Sequence, residues 1–513
     1  MRCPGAEGMR FDDDATGRPG RGEKRTGRRE APSGPPARPA AEVTRRAVAI
    51  PGALVAALAA CTSTPASPPP DTRPPNVVII FADDLGYGDL GAYGHPTIRT
   101  PHLDRMAAEG QRWTSFYSQA PVCSPSRAAL LTGRIHLRSG MFGRRQGVFF
   151  PDSRHGLPAA EITLAEALQE VGYATGIVGK WHLGHRPEHR PTRHGFDSWF
   201  GIPYSNDMDW QVPAGAERRA AMFDPSIDYW HVPLMRDDEE LERPADQTTI
   251  TRRYTEEAVR FIEAHRAEPF FLYVPHTMPH VPLFRSEAFA GRSTAGRYGD
   301  VVEEIDWSVG RILDTLRKEG LAERTLVVFS SDNGPWLSYR QHGGSAGLLR
   351  QGKGTTWEGG MRVPGIFWWP GTIEPGVIQE IGATTDLFTT IVPLAGGTVP
   401  ADRPLDGLDL SPVLLDTGAG PRDWMAFYRM GELYAYRRGD YKVHLVTEGR
   451  YGLGSDRAEH DPPLLFHLGD DPGEKHDRAA ERPDVVAELL AAVANHRSGM
   501  TAAEPLFDAR GGS

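Results

Sequence analysis

The 513-residue sequence is poor in cysteine and in lysine and has no long basic run, and the first and last of these shortages each exclude a class of protein. Three cysteines, Cys3, Cys61 and Cys123, are too few and too widely spaced for a disulfide scaffold or a four-cysteine zinc site. The chain holds 57 basic and 67 acidic residues without a long basic run, which argues against nucleic acid as a partner. Only six of the basic residues are lysine, so each lysine departs from the chain's habit of using arginine. The length allows one large or two modest soluble domains with ample core.

The first 75 residues contain no pattern that predicts a folded core. Residues 1–46 are rich in Arg, Gly, Pro and Ala without a hydrophobic period, so we expect them to be disordered or not part of the natural chain. Residues 47–60 are almost uncharged and too few to span a bilayer, which takes about 20, but they suit the apolar region of a signal peptide. We therefore interpret residues 1–60 as a disordered N-terminus plus signal peptide, and residues 61–75, rich in Ser, Thr and Pro, as a tether.

Leu58-Ala59-Ala60-Cys61 resembles a bacterial lipoprotein box, whose cysteine becomes the lipidated first residue of the mature chain. This resemblance implies lipidation of Cys61, a membrane anchor and a place in the cell envelope, periplasmic or at the surface. An ordinary cleaved signal with an incidental Cys61 is the alternative, and Thr44-Arg45-Arg46 resembles a twin-arginine export signal. Residues 61–513 hold 46 basic and 60 acidic side chains, a formal charge of −14. Any anion site in the mature protein must therefore create its own positive field.

Four patterns typical of buried strands each lead into charged or polar residues. Continuous β-branched and aromatic runs predict strands at 77–81, 173–178, 270–274 and 326–330, as in a parallel sheet covered on both faces. The residues that follow them are Asp83-Asp84, Lys180-Trp181-His182, the segment with His276 and His280, and Asp332-Asn333. A shorter candidate strand at 113–117 precedes Cys123. Because ligands bind outside the carboxyl ends of strands in open α/β sheets, we expect these groups to converge, although one Asp-Asp pair alone is usually a turn or cap.

Predicted helices alternate with these strands, which indicates an α/β catalytic domain at residues 76–399. Thr100-Pro101 predicts a helix start with a capping hydroxyl, and Gly110 its end. Ser124 as a cap and Pro125 in the first turn predict a short helix that Gly133 ends, with Cys123 just before its N-terminus. Two longer helices are predicted at 255–265 and 301–316.

The C-terminal part of the chain changes character. Alternating patterns at 433–436 and 442–446 predict antiparallel strands, and residues 485–493 predict a helix. We expect a C-terminal subdomain at residues 400–513 that lines the substrate mouth. We expect residues 213–247, rich in Asp, Glu and Arg, to form a rim loop.

The residue types at the strand ends favour a hard cation and an anion. Asp83, Asp84, Asp332 and Asn333 offer only oxygen ligands, which suit calcium or magnesium better than zinc. Positive charge comes from Arg127, Lys180 and Lys353, the last in a glycine-rich loop that lets a ligand approach closely. Because Cys123 does not sit in an apolar run, the chemistry leaves an activated thiolate or a modified cysteine.

Cys123-Ser124-Pro125-Ser126-Arg127 resembles the type I sulfatase signature, whose Cys-x-Pro-x-Arg core is read by a maturation enzyme that oxidises the cysteine to formylglycine. Residues 172–184 resemble a second sulfatase signature. Residues 332–364 resemble the arylsulfatase A and N-acetylgalactosamine-6-sulfatase branch, with Trp357 where Tyr or Phe is common. The resemblance runs from about Asn76 to Asp477. It implies an alkaline-phosphatase-like α/β fold: a large mixed, mostly parallel sheet flanked by helices, and a smaller C-terminal antiparallel sheet of four strands.

The resemblance also implies roles for single residues. The ligands of one divalent cation, Ca²⁺ in preference to Mg²⁺, would be Asp83, Asp84, Asp332, Asn333 and the converted Cys123. Arg127 and Lys180 would hold the formylglycine hydrate and His182 would contact one of its hydroxyls. Ser205 and Lys353 would bind sulfate, as would His280, which fits the family's His-x-Pro context where His276 does not. We interpret His185, His276 and His342 as loop or rim histidines.

The implied activity is hydrolysis of an aryl or carbohydrate sulfate ester to alcohol and inorganic sulfate, through a formylglycine hydrate nucleophile and a covalent sulfo-enzyme. Asp332 would be the base for the attacking hydroxyl, His280 with Lys353 the acid for the leaving oxygen, and His182 the acceptor from the second hydroxyl. The nearest alternative is a phosphodiesterase or phosphonate monoester hydrolase of the same superfamily. A cysteine protease leaves the carboxylates and lysines unexplained. A catalytically silent, lipid-anchored glycan-binding protein would result if Cys123 were never matured.

Overall fold

A ten-stranded sheet runs through the part of the chain that the computed structural model describes, residues 73–211 and 217–511. Its strands are β1 Asn76–Ala82, β2 Gln111–Tyr117, β3 Ala174–Val178, β4 Ser198–Gly201, β5 Leu234–Arg236, β6 Glu239–Glu242, β7 Phe270–Pro275, β8 Thr325–Ser331, β9 Gly365–Trp368 and β10 Gly376–Ala383. They lie in the order β10-β2-β9-β8-β1-β7-β3-β4-β5-β6. The consecutive neighbours β8, β1, β7, β3 and β4 are all parallel. The predicted strands are therefore confirmed, each to within two residues at either end.

Helices cover both faces of this sheet. Within the described residues they are α1 Pro101–Glu109, α2 Cys123–Thr132, α3 Leu164–Gln169, α4 Arg218–Phe223, α5 Ile250–Ala264, α6 Gly296–Lys318, α7 Glu358–Met361, α8 Asp386–Leu394, α9 Ser411–Leu414 and α10 Pro483–Ser498. Val78 and Ile80 of β1 share one core with α1, α5 and α6, whereas Val77 and Ile79 share another with α2, α3 and α8. Burial on both faces explains why this strand is a continuous apolar run rather than an alternating one.

A second sheet of four antiparallel strands forms the C-terminal part of the same compact unit. Its strands are β11 Trp424–Arg429, β12 Glu432–Arg438, β13 Tyr441–Thr447 and β14 Ala458–His467, paired in chain order. Val485 and Leu489 of α10 pack on one face of it. Met425 and Phe427 on the other face contact Tyr117 at the end of β2. The predicted small antiparallel sheet is confirmed, while the domain boundary at residue 400 stays a prediction.

Two predicted helix caps are wrong. The hydroxyl of Thr100 accepts a hydrogen bond from the Gly91 N–H and donates to Asp104, so it fixes a preceding loop instead of capping α1. The hydroxyl of Ser124 accepts from the Phe149 N–H, and α2 begins at Cys123 itself. In both cases the hydroxyl accepts a hydrogen bond from a backbone N–H outside the helix, not from the N–H groups at the helix start that the local sequence predicted. The predicted end of α2 is confirmed, since Gly133 has φ 67°.

The predicted rim loop at 213–247 is also wrong in part. Its described portion, from residue 217 onward, contains α4, the edge strand β6 and its neighbour β5. Residues 213–216 lie outside the described residues, as do the predicted signal region, the tether up to residue 72, Cys3 and Cys61. In the part of the chain that is described, no helix has the length and apolarity needed to cross a membrane.

Candidate active site

The structure brings the predicted polar residues together at one edge of the large sheet. Because the central strands are parallel, their carboxyl ends lie side by side. The residues that follow them are Asp83 and Asp84 after β1, Asp332 and Asn333 after β8, Lys180 and His182 after β3, His280 after β7 and Ser205 after β4. The backbone continues this arrangement past the strands, since the Lys180 N–H donates to Pro275 O over 2.8 Å. The predicted convergence is therefore observed.

Three buried carboxylates are each paired with a cation. Lys180 Nζ lies 2.5 Å from Asp83 Oδ2, and Lys353 Nζ lies 2.7 Å from Asp84 Oδ1. The third carboxylate, Asp332, is paired with Arg127, whose Nε and Nη2 donate to Asp332 Oδ2 over 3.0 and 2.8 Å. Pairing offsets the large desolvation cost that isolated buried charges would carry.

The two neighbouring aspartates respond differently to this environment. Burial raises the pKa of Asp84 to about 7 against the opposing charge of Lys353, and Asp83 and Asp332 add to the rise. Burial also raises the pKa of Asp83, but Lys180, with His280, Arg127 and Lys353, outweighs it and holds that pKa well below its ordinary value. A further positive charge beside Asp84 would therefore lower the pKa of Asp84 again.

The donor atoms beside Asp84 fit a hard divalent cation. Within the described residues, ligand atoms of Asp83, Asp84, Cys123 and His280 lie within 4.8 Å of one another. Asn333 Nδ2 donates to Asp84 Oδ1 over 2.7 Å, and Asn333 Oδ1 is buried without a partner there. The two carboxylates and the unsatisfied amide oxygen suit calcium or magnesium, whereas the Cys123 thiol and the His280 ring nitrogen are softer donors. Asp332 is more fully engaged, because Arg127 takes its Oδ2 and the Asp84 N–H donates to its Oδ1.

Cys123 lies between a carboxylate and an ammonium group. It is the first residue of α2 and only 2% exposed, with Sγ 3.4 Å from Asp83 Oδ1 and 3.6 Å from Lys353 Nζ. Burial, with the charge of Asp332, raises the pKa of the thiol well above its ordinary value. A thiol that stays protonated is a poor nucleophile, which argues against the activated thiolate and hence against the protease alternative.

His182 presents one free ring nitrogen. Its Nε2 lies 3.0 Å from Phe149 O, and since a carbonyl only accepts, Nε2 carries the hydrogen. Nδ1 is buried without a partner among the described residues. Burial and then Lys180 hold the pKa well below its ordinary value, so the ring is neutral and Nδ1 keeps its lone pair. The residue is held at φ 59°, a strained conformation of the kind found at functional sites.

His280 is oriented by its own backbone neighbour. Nδ1 donates to Val281 O over 2.5 Å, so Nε2 faces Ser205 Oγ at 3.4 Å and Asp84 Oδ2 at 3.5 Å. The same Ser205 hydroxyl accepts from Lys180 Nζ over 3.1 Å.

The three histidines predicted in loops or at the rim, His185, His276 and His342, do not line the cavity that holds Cys123. His276 is not a rim residue as predicted, because it is buried with Nε2 3.3 Å from the Ser308 hydroxyl. His342 is buried too and stacks on Phe223, and His185 is half-buried beside Tyr204.

A cavity of about 490 Å³ opens above Cys123. Besides His182, Ser205, His280 and Lys353, it is lined by residues that sequence reasoning missed, among them Arg145, Trp336, Tyr339, Tyr428, Arg450 and Tyr451. Trp336 stands closest to the charged cluster, with its ring centroid 4.3 Å from Lys353 Nζ and 5.3 Å from the His280 ring. Its position three residues after Asn333 was a usable signal. The C-terminal subdomain was expected to line the substrate mouth, but no pattern singled out its individual lining residues, because only the packing of the two sheets brings them to the cavity.

Comparisons with known proteins give matches over most of the chain. A family model described as sulfatase matches residues 75–397, and one described as the C-terminal region of aryl-sulfatase matches residues 420–511. Arylsulfatase A of Bos taurus is 42% identical over 449 residues, covering 82% of this chain and 86% of that protein. N-acetylgalactosamine-6-sulfatase of Mus musculus is 41% identical over 469 residues, covering 84% and 88%. A crystal structure of a sulfatase from Pseudoalteromonas sp. matches with a TM-score of 0.74 and 29% identity, covering 83% of this chain and 90% of that one.

Proposed function

This chain belongs to the sulfatase family of sulfuric ester hydrolases, and from that premise we propose that it hydrolyses an aryl or carbohydrate sulfate ester through a formylglycine made from Cys123. The observation that carries the proposal is the position of the buried Cys123 in the cavity lining, in contact with Asp83 and Lys353. The products are the free alcohol and inorganic sulfate.

Conversion of Cys123 by a maturation enzyme accounts for a cysteine that is buried and protonated. The hydrated aldehyde would supply a hydroxyl nucleophile for sulfur, which the thiol in this environment does not. The residues that would hold one divalent cation, calcium in preference to magnesium, are Asp83, Asp84, Asn333, Asp332 and residue 123. That cation would offset charge on the sulfuryl oxygens.

Cations of the chain itself surround the place where sulfate would bind. Lys353 contacts Cys123 directly, and Lys180 and Ser205 are hydrogen-bonded to each other at the same edge. Arg127 reaches this edge too, and its Nη1 donates to Lys180 O over 3.0 Å. Preorganised positive groups of this kind stabilise charge that develops on oxygen in the transition state.

Proton transfers are assigned to groups with a free site. His182 Nδ1 has an available lone pair and takes a proton from the second hydroxyl of residue 123. Asp332 is the base for the attacking hydroxyl, a role in which it must loosen one of its bonds to Arg127 or to the Asp84 N–H. On the leaving-group side, Lys353 is the protonated member of the pair with His280. Burial lowers the pKa of Lys353, but Asp84, with Cys123, Tyr451 and Asp83, outweighs it and holds that pKa well above its ordinary value.

The protein is proposed to act in the cell envelope after export, anchored by a lipid on Cys61. The support is the sequence alone, namely the apolar run at 47–60 and its Leu-Ala-Ala-Cys ending. Metabolic labelling with a radioactive fatty acid tests this, since label should enter the wild-type protein and not a Cys61→Ser variant.

The activity is tested on protein purified from cells that also produce a formylglycine-generating enzyme, with conversion of Cys123 verified by mass spectrometry. We expect 4-nitrophenyl sulfate to be hydrolysed with a far higher kcat/KM than bis(4-nitrophenyl) phosphate or a phenylphosphonate monoester. The reverse order would favour the phosphodiesterase or phosphonate hydrolase alternative. Fully converted protein that hydrolyses none of them but binds sulfated glycans would favour the silent binding protein.

A further inference from the structure

The cavity above Cys123 is lined by many more cations than carboxylates. Its arginines are Arg145, Arg218, Arg219, Arg429 and Arg450, whereas its one lining carboxylate is Asp207. Such a concentration is a departure in a chain whose residues 61–513 carry a formal charge of −14. A cleft lined by one sign of charge concentrates ligands of the opposite sign.

Three of these arginines already have partners. Arg218 pairs with Asp207 at 3.2 Å and Arg429 with Glu448 at 3.1 Å. Arg219 donates to Ser338 O over 3.0 Å and lies over the Tyr339 ring. These contacts hold the cavity wall in shape and leave these guanidinium groups less available to a ligand.

Arg145 and Arg450 differ from them. Among the described residues, neither guanidinium is within ion-pair distance of a carboxylate. The Asp508 carboxylate near Arg145 instead accepts the backbone N–H groups of residues 144, 145 and 146. Arg145 is exposed and Arg450 is half-buried, so both are open to a ligand that enters the cavity.

Arg450 is connected directly to the loop that carries Lys353. A Cβ added at Gly354 would meet Arg450 Cγ at 2.6 Å, so the arginine stem packs against that glycine, which also has φ +83°. The Arg450 guanidinium lies 5.2 Å from the Tyr451 ring centroid. The Tyr451 ring centroid lies 4.8 Å from that of Trp336 at an interplanar angle of 50°, and Lys353 Nζ lies over the Trp336 ring. Two aromatic rings therefore line the cavity between the Lys353 ammonium group and the Arg450 guanidinium group.

We propose that Arg450 and Arg145 form a second anion subsite, so that the substrate carries a further carboxylate or sulfate beyond the ester that is cleaved. This inference rests on the proposed sulfatase function for the position of the first anion. The ring that links the two anions lies against Trp336 and Tyr451, whose faces offer apolar contact without demanding a particular ring pattern. A guanidinium group suits this role because its donors match carboxylate and sulfate oxygens in pairs.

Binding to a Cys123→Ala protein tests the subsite without reaction, because alanine has no hydroxyl that could attack the sulfate ester. Isothermal titration calorimetry would compare galactose 6-sulfate, galactose 4,6-disulfate and a disaccharide with one 6-sulfate and one uronate. We expect at least one doubly charged ligand to bind about tenfold more tightly than the monosulfate, and this advantage to shrink as salt is added. The two doubly charged ligands distinguish a second sulfate from a carboxylate as the preferred group.

Arginine variants locate the effect. Arg450→Ala and Arg145→Ala, added to Cys123→Ala, should each reduce the advantage of the doubly charged ligand and leave monosulfate affinity within about twofold. Arg144→Ala is the matched control, because Arg144 is exposed but does not line the cavity. Equal affinity for singly and doubly charged ligands overturns the proposal, as does an equal loss for all ligands in Arg450→Ala.

Kinetics separate this inference from the proposed function. In matured enzyme that keeps the formylglycine at residue 123, Arg450→Ala should raise the KM for the doubly charged substrate about tenfold. The KM for 4-nitrophenyl sulfate should stay nearly unchanged. If no sulfate ester is hydrolysed by matured enzyme, the proposed function fails while the calorimetry still decides the subsite. If 4-nitrophenyl sulfate is hydrolysed and the second anion brings no advantage, only the subsite is wrong.

Discussion

Lys442 Nζ on strand β13 lies 2.9 Å from Glu358 Oε1 at the start of helix α7, and both side chains are fully buried. The same ammonium group is 2.9 Å from Glu474 Oε1, so one lysine faces two carboxylates. It also donates to Thr356 O over 2.9 Å, three residues after Lys353. The small sheet is therefore bonded to the loop that brings Lys353 to the cavity, and its lysine supports the position of another lysine.

Replacing Lys442 with Met should destabilise the protein strongly. The substitution keeps much of the side-chain volume but leaves Glu358 and Glu474 buried without their shared cation, which typically costs about 3–5 kcal/mol. The free energy of unfolding, measured by denaturant titration, should fall by that order. Lys475→Met is the matched control, since Lys475 is an exposed lysine of the same region. Similar stabilities for the two variants would contradict the importance of the buried contact.

Glu358 should contribute to the loss of stability in acid. Burial alone would raise its pKa, but Lys442, Arg362 and Arg437 outweigh it and lower the pKa to about 2 from an ordinary 4.5. Because the folded-state pKa is the lower one, the contribution is complete above about pH 4.5 and is lost as the pH falls towards 2. Unfolding free energies measured from pH 6 to pH 2 should show a shallower decline in Glu358→Gln than in the wild type. Exposed Glu374→Gln should keep the wild-type slope, and identical slopes in all three proteins would contradict the prediction.

The charged cluster could be predicted from sequence because each strand that leads into it has a recognisable pattern of its own. Asp83, Lys180 and Asp332 each follow a continuous apolar run, and parallel strands bring such ends together whatever the loops do. The contacts that could not be predicted join distant segments. Lys442 and Glu358 are separated by 84 positions, and neither lies in a pattern that points to the other.

Local rules failed where a side chain had a better distant partner. Ser124 and Thr100 have the right type and place for helix caps, yet their hydroxyls bind loop N–H groups elsewhere. The cavity wall shows the same limit, since Tyr451 contacts Trp336 only after the second sheet has packed beside the first. Strand ends and the part of the chain that borders the cavity were thus predictable, whereas the particular residues of the wall that the two sheets build together were not.

Calcium should stabilise the protein through Asn333. Asn333 contacts Asp84 through Nδ2, and its Oδ1 is buried without a partner among the described residues, so a half-turn of the amide would present Oδ1 to a cation beside Asp84. Chelated protein should show a higher Tm after calcium is added, because a ligand that binds only the folded state stabilises it. Asn333→Leu should abolish this increment. Asp89→Asn is the control and should leave the increment intact. Asp89 is a buried carboxylate that lies outside the cluster and accepts a hydrogen bond from the Tyr298 hydroxyl. A full increment in Asn333→Leu would remove this residue from the site.

Cys123→Ser should abolish turnover when it is expressed with the same maturation enzyme. A serine hydroxyl can attack sulfur, but without a second hydroxyl it cannot release sulfate by elimination, so at most one equivalent of alcohol should form. Steady-state and single-turnover assays with 4-nitrophenyl sulfate distinguish these cases. Peptide mass spectrometry should find an aldehyde at residue 123 in the active wild type. Wild-type turnover in the serine variant, or in protein whose Cys123 remains a thiol, would contradict the mechanism.

A comparison of leaving groups distinguishes His280 from Lys353 as the proton donor. While Nδ1 of His280 donates to Val281 O, Nε2 can donate only from a charged ring, which burial and then Lys353 oppose by lowering the pKa of His280. Nitrophenolate leaves without a proton, whereas a sugar alkoxide needs one. If His280 supplies it, His280→Ala should lower kcat for a sugar sulfate by about 10²–10⁴ and for 4-nitrophenyl sulfate much less. His185→Ala is the control from outside the cavity. Equal losses for both substrates would instead make Lys353 the donor and leave His280 to orient Ser205 and the bound sulfate.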